Sequence, residues 1–295
     1  ESEIAAINMC FGTAAVGARS MTSSSSPGIS LKQEGISYIA GAQLPCVIVN
    51  VMRGGPGLGN ISAAQSDYFQ ATRGGGHGDY YTLVLAPHNV QEMFDLTMLS
   101  FHLADQYRMP ALVLADGILG QMMEPLILHR PDFPPLPPKT WAVGRMKDRP
   151  MNLITSIRLG EGRLEAHNLD LQNTYHRIQE DEVRFEETHT EDAETLLVAF
   201  GTSARVCLGA VAEGRAQGLR IGLLRPITLW PFPSRALARH AEKVRSILVV
   251  EMNMGQMVED VRLSVEGRCP IHFHGRPGGG LPTSREVLEK VREGL

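Results

Sequence analysis

Cysteine is scarce: the four that occur, at 10, 46, 207 and 269, stand far apart with no CxxC pair. That spacing argues against a disulfide framework, a zinc site or an iron–sulfur cluster carried on this chain. No apolar run reaches the roughly 18 residues needed to span a bilayer, and no signal peptide opens the chain. Strong charge is absent as well. A net charge of −4 and a pI near 6.2 give no reason to expect nucleic acid or an anionic membrane as partner. No Walker A pattern is present. The glycine-rich "GGPGLG" (54–59) fails the dinucleotide fingerprint, because Asn60, Ile61 and Ser62 follow it instead of a helix N-terminus with an acid about 20 residues on. A cytoplasmic location fits this pattern of absences.

What is present is an ordinary globular composition, 43% hydrophobic and 20% charged, in 295 residues, a length for which two domains are expected. The chain opens on Glu1, and "ESEIAAINMCFGTAAVGA" reads as the middle of a helix. Its apolar and small residues recur at helical spacing (Ile4, Ile7, Phe11, Ala14, Ala15), with no capping residue upstream. An N-terminal segment carrying the first strand of a domain is therefore expected to be missing. A strand "ARSMTSSS" follows, then a helix "PGISLKQEGISYIAGAQ" and a buried strand "PCVIVNVM" ending in the turn "RGGPGLGN". "SAAQSDYFQAT" reads as helical, "GGGHGDYY" as a loop and "YTLVLAP" as a strand. Asn89, with Glu92 three residues on, opens a long helix, and "ALVLADG" (111–117) closes the set. Strands alternating with helices mean βαβ units and a mainly parallel sheet, whose ligands bind at the carboxyl ends of the strands. The serine run "TSSSSPG" (22–28), "RGGPG" and "ADG" all lie at such ends.

"RPDFPPLPPK" (130–139) reads as a semi-rigid linker, and the charged stretch to about 190 as an irregular or short-strand connection. The expected domains are therefore 1–125 and 193–295, joined by 126–192. In the second, "TLLVAFG", "RIGLLRPI", "SILVVEMN" and "CPIHFHG" are strands, with helices beginning near Thr202, Pro233, Asn253 and Thr283. Asn253 with Gln256 and Thr283 with Glu286 read as capping pairs.

Several residues are candidates for chemistry, each beside a plainer reading. Glu3, on a small and apolar helix face, is either a solvated first-turn acid or a partly buried carboxylate that bonds a ligand nitrogen. Arg53 ends a core strand with glycines directly behind it. It is either a surface turn arginine or a fork for a carboxylate or phosphate. His77 and Asp79 are acid–base groups or parts of a structural turn. His272 and His274 share a strand face without a third ligand, so no metal is assigned. Glu251 and Asn253 end a strand and serve an interface or a cap, with capping favoured.

Taken together, these stretches resemble the alpha subunit of the thiamine-diphosphate-dependent 2-oxoacid:ferredoxin oxidoreductases. The block "ESEIAAINMCFGTAAVGARSMTSSSSPGISLKQEGISYIAGAQLPCVIVNVMRGGPG" carries the likeness, with "QSDYFQATRGGGHGDY" and "LRPITLWPFP". Nearly the whole chain is covered. The likeness is greatest to the branched-chain (3-methyl-2-oxobutanoate) enzymes, with the 2-oxoglutarate enzymes a near neighbour. The resemblance implies an α/β chain of two parallel-sheet domains: an N-terminally incomplete thiamine pyrimidine-binding domain and a transketolase C-terminal-like domain. It places Glu3 on the pyrimidine ring nitrogen as the catalytic carboxylate, and Ser24, Ser25, Ser26, Pro27 and Gly28 beside the cofactor. Arg53, with Ser26, would hold the substrate carboxylate. The implied reaction removes CO2 from a 2-oxoacid on the cofactor, passes electrons singly to iron–sulfur clusters and transfers the acyl group to coenzyme A.

Departures from the family matter equally. A "YPITP"-like substrate loop, the GDG-and-asparagine diphosphate–Mg²⁺ motif and a ferredoxin-like cysteine cluster are all absent from this sequence. The resemblance therefore implies a beta subunit holding the diphosphate and Mg²⁺, and a gamma or ferredoxin-like delta subunit with the clusters. External ferredoxin is the implied electron acceptor. Two rivals stand beside this reading: a transketolase-like or E1-type thiamine enzyme that reduces no ferredoxin, and a non-catalytic assembly subunit.

Overall fold

Ser2 opens the first helix, α1 (Glu3–Ala15): its hydroxyl accepts the Ala5 N–H at 3.3 Å, which supplies the cap that the sequence reading did not find. The computed structural model describes residues 2–144 and 151–293; residues 145–150 of the expected linker lie outside it. β1 (Met21–Ser24) and α2 (Ser26–Gly41) follow, then β2 (Cys46–Met52), buried at every position but Val51. α3 (Tyr68–Thr72) is shorter than the expected "SAAQSDYFQAT" helix. β3 (Leu83–Leu85), α4 (Val90–Tyr107) and β4 (Pro110–Asp116) complete the first run of alternating elements.

The segment expected to be irregular or short-stranded does hold a short strand, β5 (Phe185–Thr188), but also a 19-residue helix, α5 (Arg163–Asp181), that was not expected. The second run is β6 (Thr195–Val198), α6 (Gly201–Ala216), β7 (Ile221–Pro226), β8 (Thr228–Trp230), α7 (Ser234–Ala241), β9 (Ser246–Glu251), α8 (Met257–Val265), β10 (Ile271–Gly275) and α9 (Ser284–Arg292).

Two five-stranded sheets result, ordered β1-β2-β4-β3-β8 and β10-β9-β6-β7-β5. Four strands of each are mutually parallel, as the βαβ alternation requires. Each fifth strand is antiparallel and comes from outside the expected block. β8 lies beyond residue 193 yet pairs with β3 of the first sheet, and β5 lies in the expected connection yet pairs with β7 of the second. The second half thus lends an edge strand to the first sheet, and the connection lends one to the second.

One buried carboxylate bridges that junction, and another caps a helix beside it. Asp116, at the end of β4, accepts from the N–H and hydroxyl of Thr202 at the start of α6. The "ADG" strand end therefore serves the domain junction and not an open ligand loop. Burial raises the Asp116 carboxyl pKa, and those hydrogen bonds oppose the rise. Glu251 accepts the N–H groups of Gln256, Met257 and Val258 and so caps α8. That helix begins at Met257, and the Asn253–Gln256 capping pair does not form. Asn253 donates instead to the Gln65 carbonyl at 2.7 Å, and Gln256 reaches Ser66 and Phe69, both across the junction. Thr283 and Glu286 make a full capping box. At α4 only Asn89 caps its pair, because the Glu92 carboxylate turns to His88 and Arg225. Among the described residues no helix is long and apolar enough to cross a membrane.

Candidate active site

Two clusters of polar side chains meet where β1 and β2 end and α1 and α2 begin. The first is built on close approach. A Cβ on Gly28 would stand 2.0 Å from Ser24 Oγ and 2.8 Å from Glu3 Oε1, so only glycine lets the first turn of α1 reach the serine run. One α2 heptad on, a Cβ on Gly35 would stand 2.4 Å from Ile7 Cγ2, so both glycines seat α1 against α2. Ser24 Oγ donates to Glu3 Oε1 at 3.4 Å, and Glu3 itself is half-buried. Lys32, one turn beyond Gly28 on α2, is only 1% exposed. Its ammonium donates to Thr22 Oγ1 and to the Ser23 carbonyl, each at 2.9 Å. Burial lowers the Lys32 pKa, and the charges of Glu3, Cys10 and Cys46 pull it back up.

The second cluster centres on Ser26. Its hydroxyl has one proton to give, and Asp67 Oδ2 at 2.6 Å takes it in preference to the Arg53 carbonyl at 3.4 Å. The same Oγ accepts the Arg53 N–H at 3.0 Å. Asn50, on β2, accepts the Ser26 N–H and donates to Asp67 at 2.9 Å. This lattice fixes the backbone on which Arg53 stands. The Arg53 guanidinium donates to the Leu58 carbonyl at 3.3 Å, while its Nε is buried without a partner. A buried guanidinium donor left free is costly, and an incoming carboxylate would satisfy it.

Of the residues singled out in the sequence, Glu3, Ser24 and Gly28 come together in one cluster, and Ser26 and Arg53 in the other. Ser25 and Pro27 lie between them at the start of α2, half-buried, with the Ser25 carbonyl accepting the Gly28 N–H. His77 and Asp79 lie elsewhere: the His77 carbonyl accepts from Ser37, and Asp79 faces Asn168 and Gln172 of α5. They order a loop. His272 and His274 lie on β10, the edge strand of the other sheet, each with a buried, unpartnered Nε2. Among the described residues no group of three or more metal-ligating side chains is assembled. Sequence reasoning missed Asn50, Asp67 and Lys32. Asn50 carried a signal, as the one polar residue inside "VIVNVM", and Lys32 shares the Gly28–Gly35 stripe of α2.

The fold defines a class: a thiamine-enzyme pyrimidine-side domain followed by a transketolase C-terminal-like domain. The comparisons narrow it. Residues 1–190 match the model for the thiamine-diphosphate-binding domain of pyruvate flavodoxin/ferredoxin oxidoreductases, and 193–287 match core domain II of pyruvate:ferredoxin oxidoreductase. The chain belongs to the family of thiamine-diphosphate-dependent 2-oxoacid:ferredoxin oxidoreductases, as an alpha-type subunit. It is 54% identical to the ketoisovalerate oxidoreductase subunit VorB of Methanothermobacter thermautotrophicus, over 99% of this chain and 83% of that one. It is 35% identical to the 2-oxoglutarate synthase subunit KorA of the same organism, over 99% and 84%. The 2-oxoglutarate:ferredoxin oxidoreductase of Magnetococcus marinus, solved with 2-oxoglutarate, coenzyme A and succinyl-CoA bound, superposes with a TM-score of 0.83 at 26% identity. That match covers 99% of this chain but 56% of the other. A split-gene transketolase shares the fold, with a TM-score of 0.62 at 14% identity.

Proposed function

We propose that this chain supplies the pyrimidine side of the active site in an enzyme that oxidatively decarboxylates a branched-chain 2-oxoacid. The products are an acyl-CoA and CO2, with ferredoxin as electron acceptor. The observation that carries the reading is the Gly28 cradle, where the absence of a Cβ lets the Glu3 carboxylate and the Ser24 hydroxyl meet over the start of α2. Thiamine diphosphate fits there by chemistry: a ring nitrogen needs a carboxylate partner, and hydroxyls at the end of a strand leave room and donors. When bound, that cofactor supplies the carbon nucleophile and the electron sink for loss of CO2.

The chain's own residues divide the remaining work. Glu3 would hold the proton at the ring nitrogen, in a half-buried setting where a charge-assisted hydrogen bond strengthens. Arg53, its backbone pinned through Ser26 and Asp67, would turn its free Nε edge to the substrate carboxylate. Ser24, Ser25, Pro27 and Gly28 would line the wall between them. The diphosphate with Mg²⁺ and the iron–sulfur clusters are assigned to beta and gamma or delta partner subunits. The branched-chain substrate rests on the 54%-identical relative. The 2-oxoglutarate reading rests on the KorA relatives and on the Magnetococcus structure.

The test is anaerobic viologen reduction by the co-purified complex with coenzyme A, thiamine diphosphate and a panel of 2-oxoacids. Turnover that depends on coenzyme A and is greatest for 3-methyl-2-oxobutanoate is expected; a preference for 2-oxoglutarate transfers the assignment to the second reading. Glu3→Gln should assemble and lose about 10²–10⁴ in kcat. Arg53→Ala should chiefly raise the KM for the 2-oxoacid, and an unchanged KM removes it from the substrate site.

A further inference from the structure

A buried lysine that nothing in the reaction scheme uses lies directly behind the Glu3 cradle. Lys32 is among the largest fully buried side chains, at 1% exposure. An ammonium is retained in such a place only where hydrogen bonds and opposite charge compensate it. The hydrogen bonds are direct, and the opposite charge of Glu3 acts through space, with no ion pair between the two among the described residues. Two of its three donors go to Thr22 Oγ1 and the Ser23 carbonyl, at the end of the strand that Ser24 finishes. The groups that act on its charge are Glu3 and Cys10 of α1 and Cys46 of β2, and Glu3 is the one carboxylate among them. Geometry explains how it gets there. Lys32 falls between Gly28 and Gly35 on α2, the stripe that meets α1, and its ammonium reaches β1 at Thr22 and Ser23.

We propose that Lys32 is a positioning residue for the thiamine site, tying the end of β1 in place and presenting Glu3 to the cofactor ring as a charge-balanced acceptor. The role rests on the reading of Glu3 given above. Lys32 touches neither cofactor nor substrate; it acts through Glu3 and the serine run.

A double-mutant cycle read on cofactor affinity tests it. Calorimetric titration of thiamine diphosphate into the cofactor-stripped complex would be made for wild type, Lys32→Met, Glu3→Gln and the double variant. Lys32→Met should weaken the Kd about tenfold when Glu3 is present and less than twofold when Glu3 is already glutamine. In the holo-complex it should lower kcat while leaving the KM for the 2-oxoacid unchanged, because Arg53 is untouched. Equal losses in both backgrounds, or no loss in either, overturn the proposal, since a merely structural lysine would weaken binding regardless of residue 3. Should the methionine variant not assemble, Lys32→Gln runs the same cycle, removing the charge but keeping a donor. The two readings fail separately. Wild-type turnover in Glu3→Gln overturns the site assignment and this role with it, whereas an inactive Glu3→Gln with additive losses overturns the Lys32 role alone.

Discussion

Gly28 shows how narrowly the site is specified at the scale of single residues. Its missing Cβ is the space that Ser24 Oγ and the Glu3 carboxylate occupy. In Gly28→Ala both must move, while the helix itself gains, since alanine is the better helix former by roughly 1 kcal/mol. We therefore expect thiamine diphosphate affinity at least tenfold weaker with a melting temperature within a few degrees of wild type. Titration and thermal unfolding of the same variant check this, and a normal Kd would remove Glu3 and Ser24 from the cofactor wall. Residue type alone made Glu3 and Arg53 candidates, each beside a plainer reading, because a carboxylate on an apolar face and an arginine between a core strand and glycines are both placed where a ligand could meet them. Asp67 gave no such signal. It lies just before the short α3 and meets Ser26 and Asn50 only through the fold.

The contact that matters most among the elements is α1 against α2. Ile7, 1% exposed, fills the place where Gly35 has no side chain. Gly35→Ala should cost about 1–3 kcal/mol by overpacking, and combining it with Ile7→Ala should recover part of that loss. Urea unfolding of the single and double variants measures the coupling; simple additivity would show that the helices do not meet there. The same scale explains which elements were hidden in the sequence. The long helices and central strands announced themselves by periodicity and by unbroken β-branched runs. α5 did not, because only Leu171, Tyr175 and Ile178 are buried in its 19 residues. β5 and β8 are short edge strands whose identity is their pairing with β7 and β3, which no local pattern records.

The two halves are held as one molecule by charge as well as by the β8 strand that the second half adds to the first sheet. Arg225 on β7, 1% exposed, is bidentate to Glu92 on α4, at 2.6 and 2.9 Å, and also meets Glu186 on β5. Burial opposes ionisation of Glu92, but hydrogen bonds from His88 and Arg225 and their charges outweigh it, and its pKa falls from 4.5 to about 2. A carboxylate depressed on folding stabilises above its unfolded pKa and loses that stability as pH falls through the folded one. The window is therefore about pH 4.5 down to 2, and the loss is on the order of 3 kcal/mol. Urea midpoints measured at steps across that window should fall in wild type, and in Glu92→Gln should start lower and fall less. Identical slopes would assign the acid lability elsewhere.

By itself the sequence determined the alternation of strands and helices, the two α/β domains, the placing of "TSSSSPG" and "RGGPG" at strand ends, and the candidacy of Glu3 and Arg53. These follow from local periodicity and side-chain chemistry, which act within a few residues. The tertiary structure alone decided that Gly28 faces Glu3, that Lys32 lies buried behind it, that Asp67 and Asn50 hold Ser26 and Arg53, that β8 crosses to the first sheet and that β5 edges the second. Each of those depends on backbones brought together across tens to hundreds of residues, where close approach, burial and charge compensation make demands that no short stretch of sequence expresses.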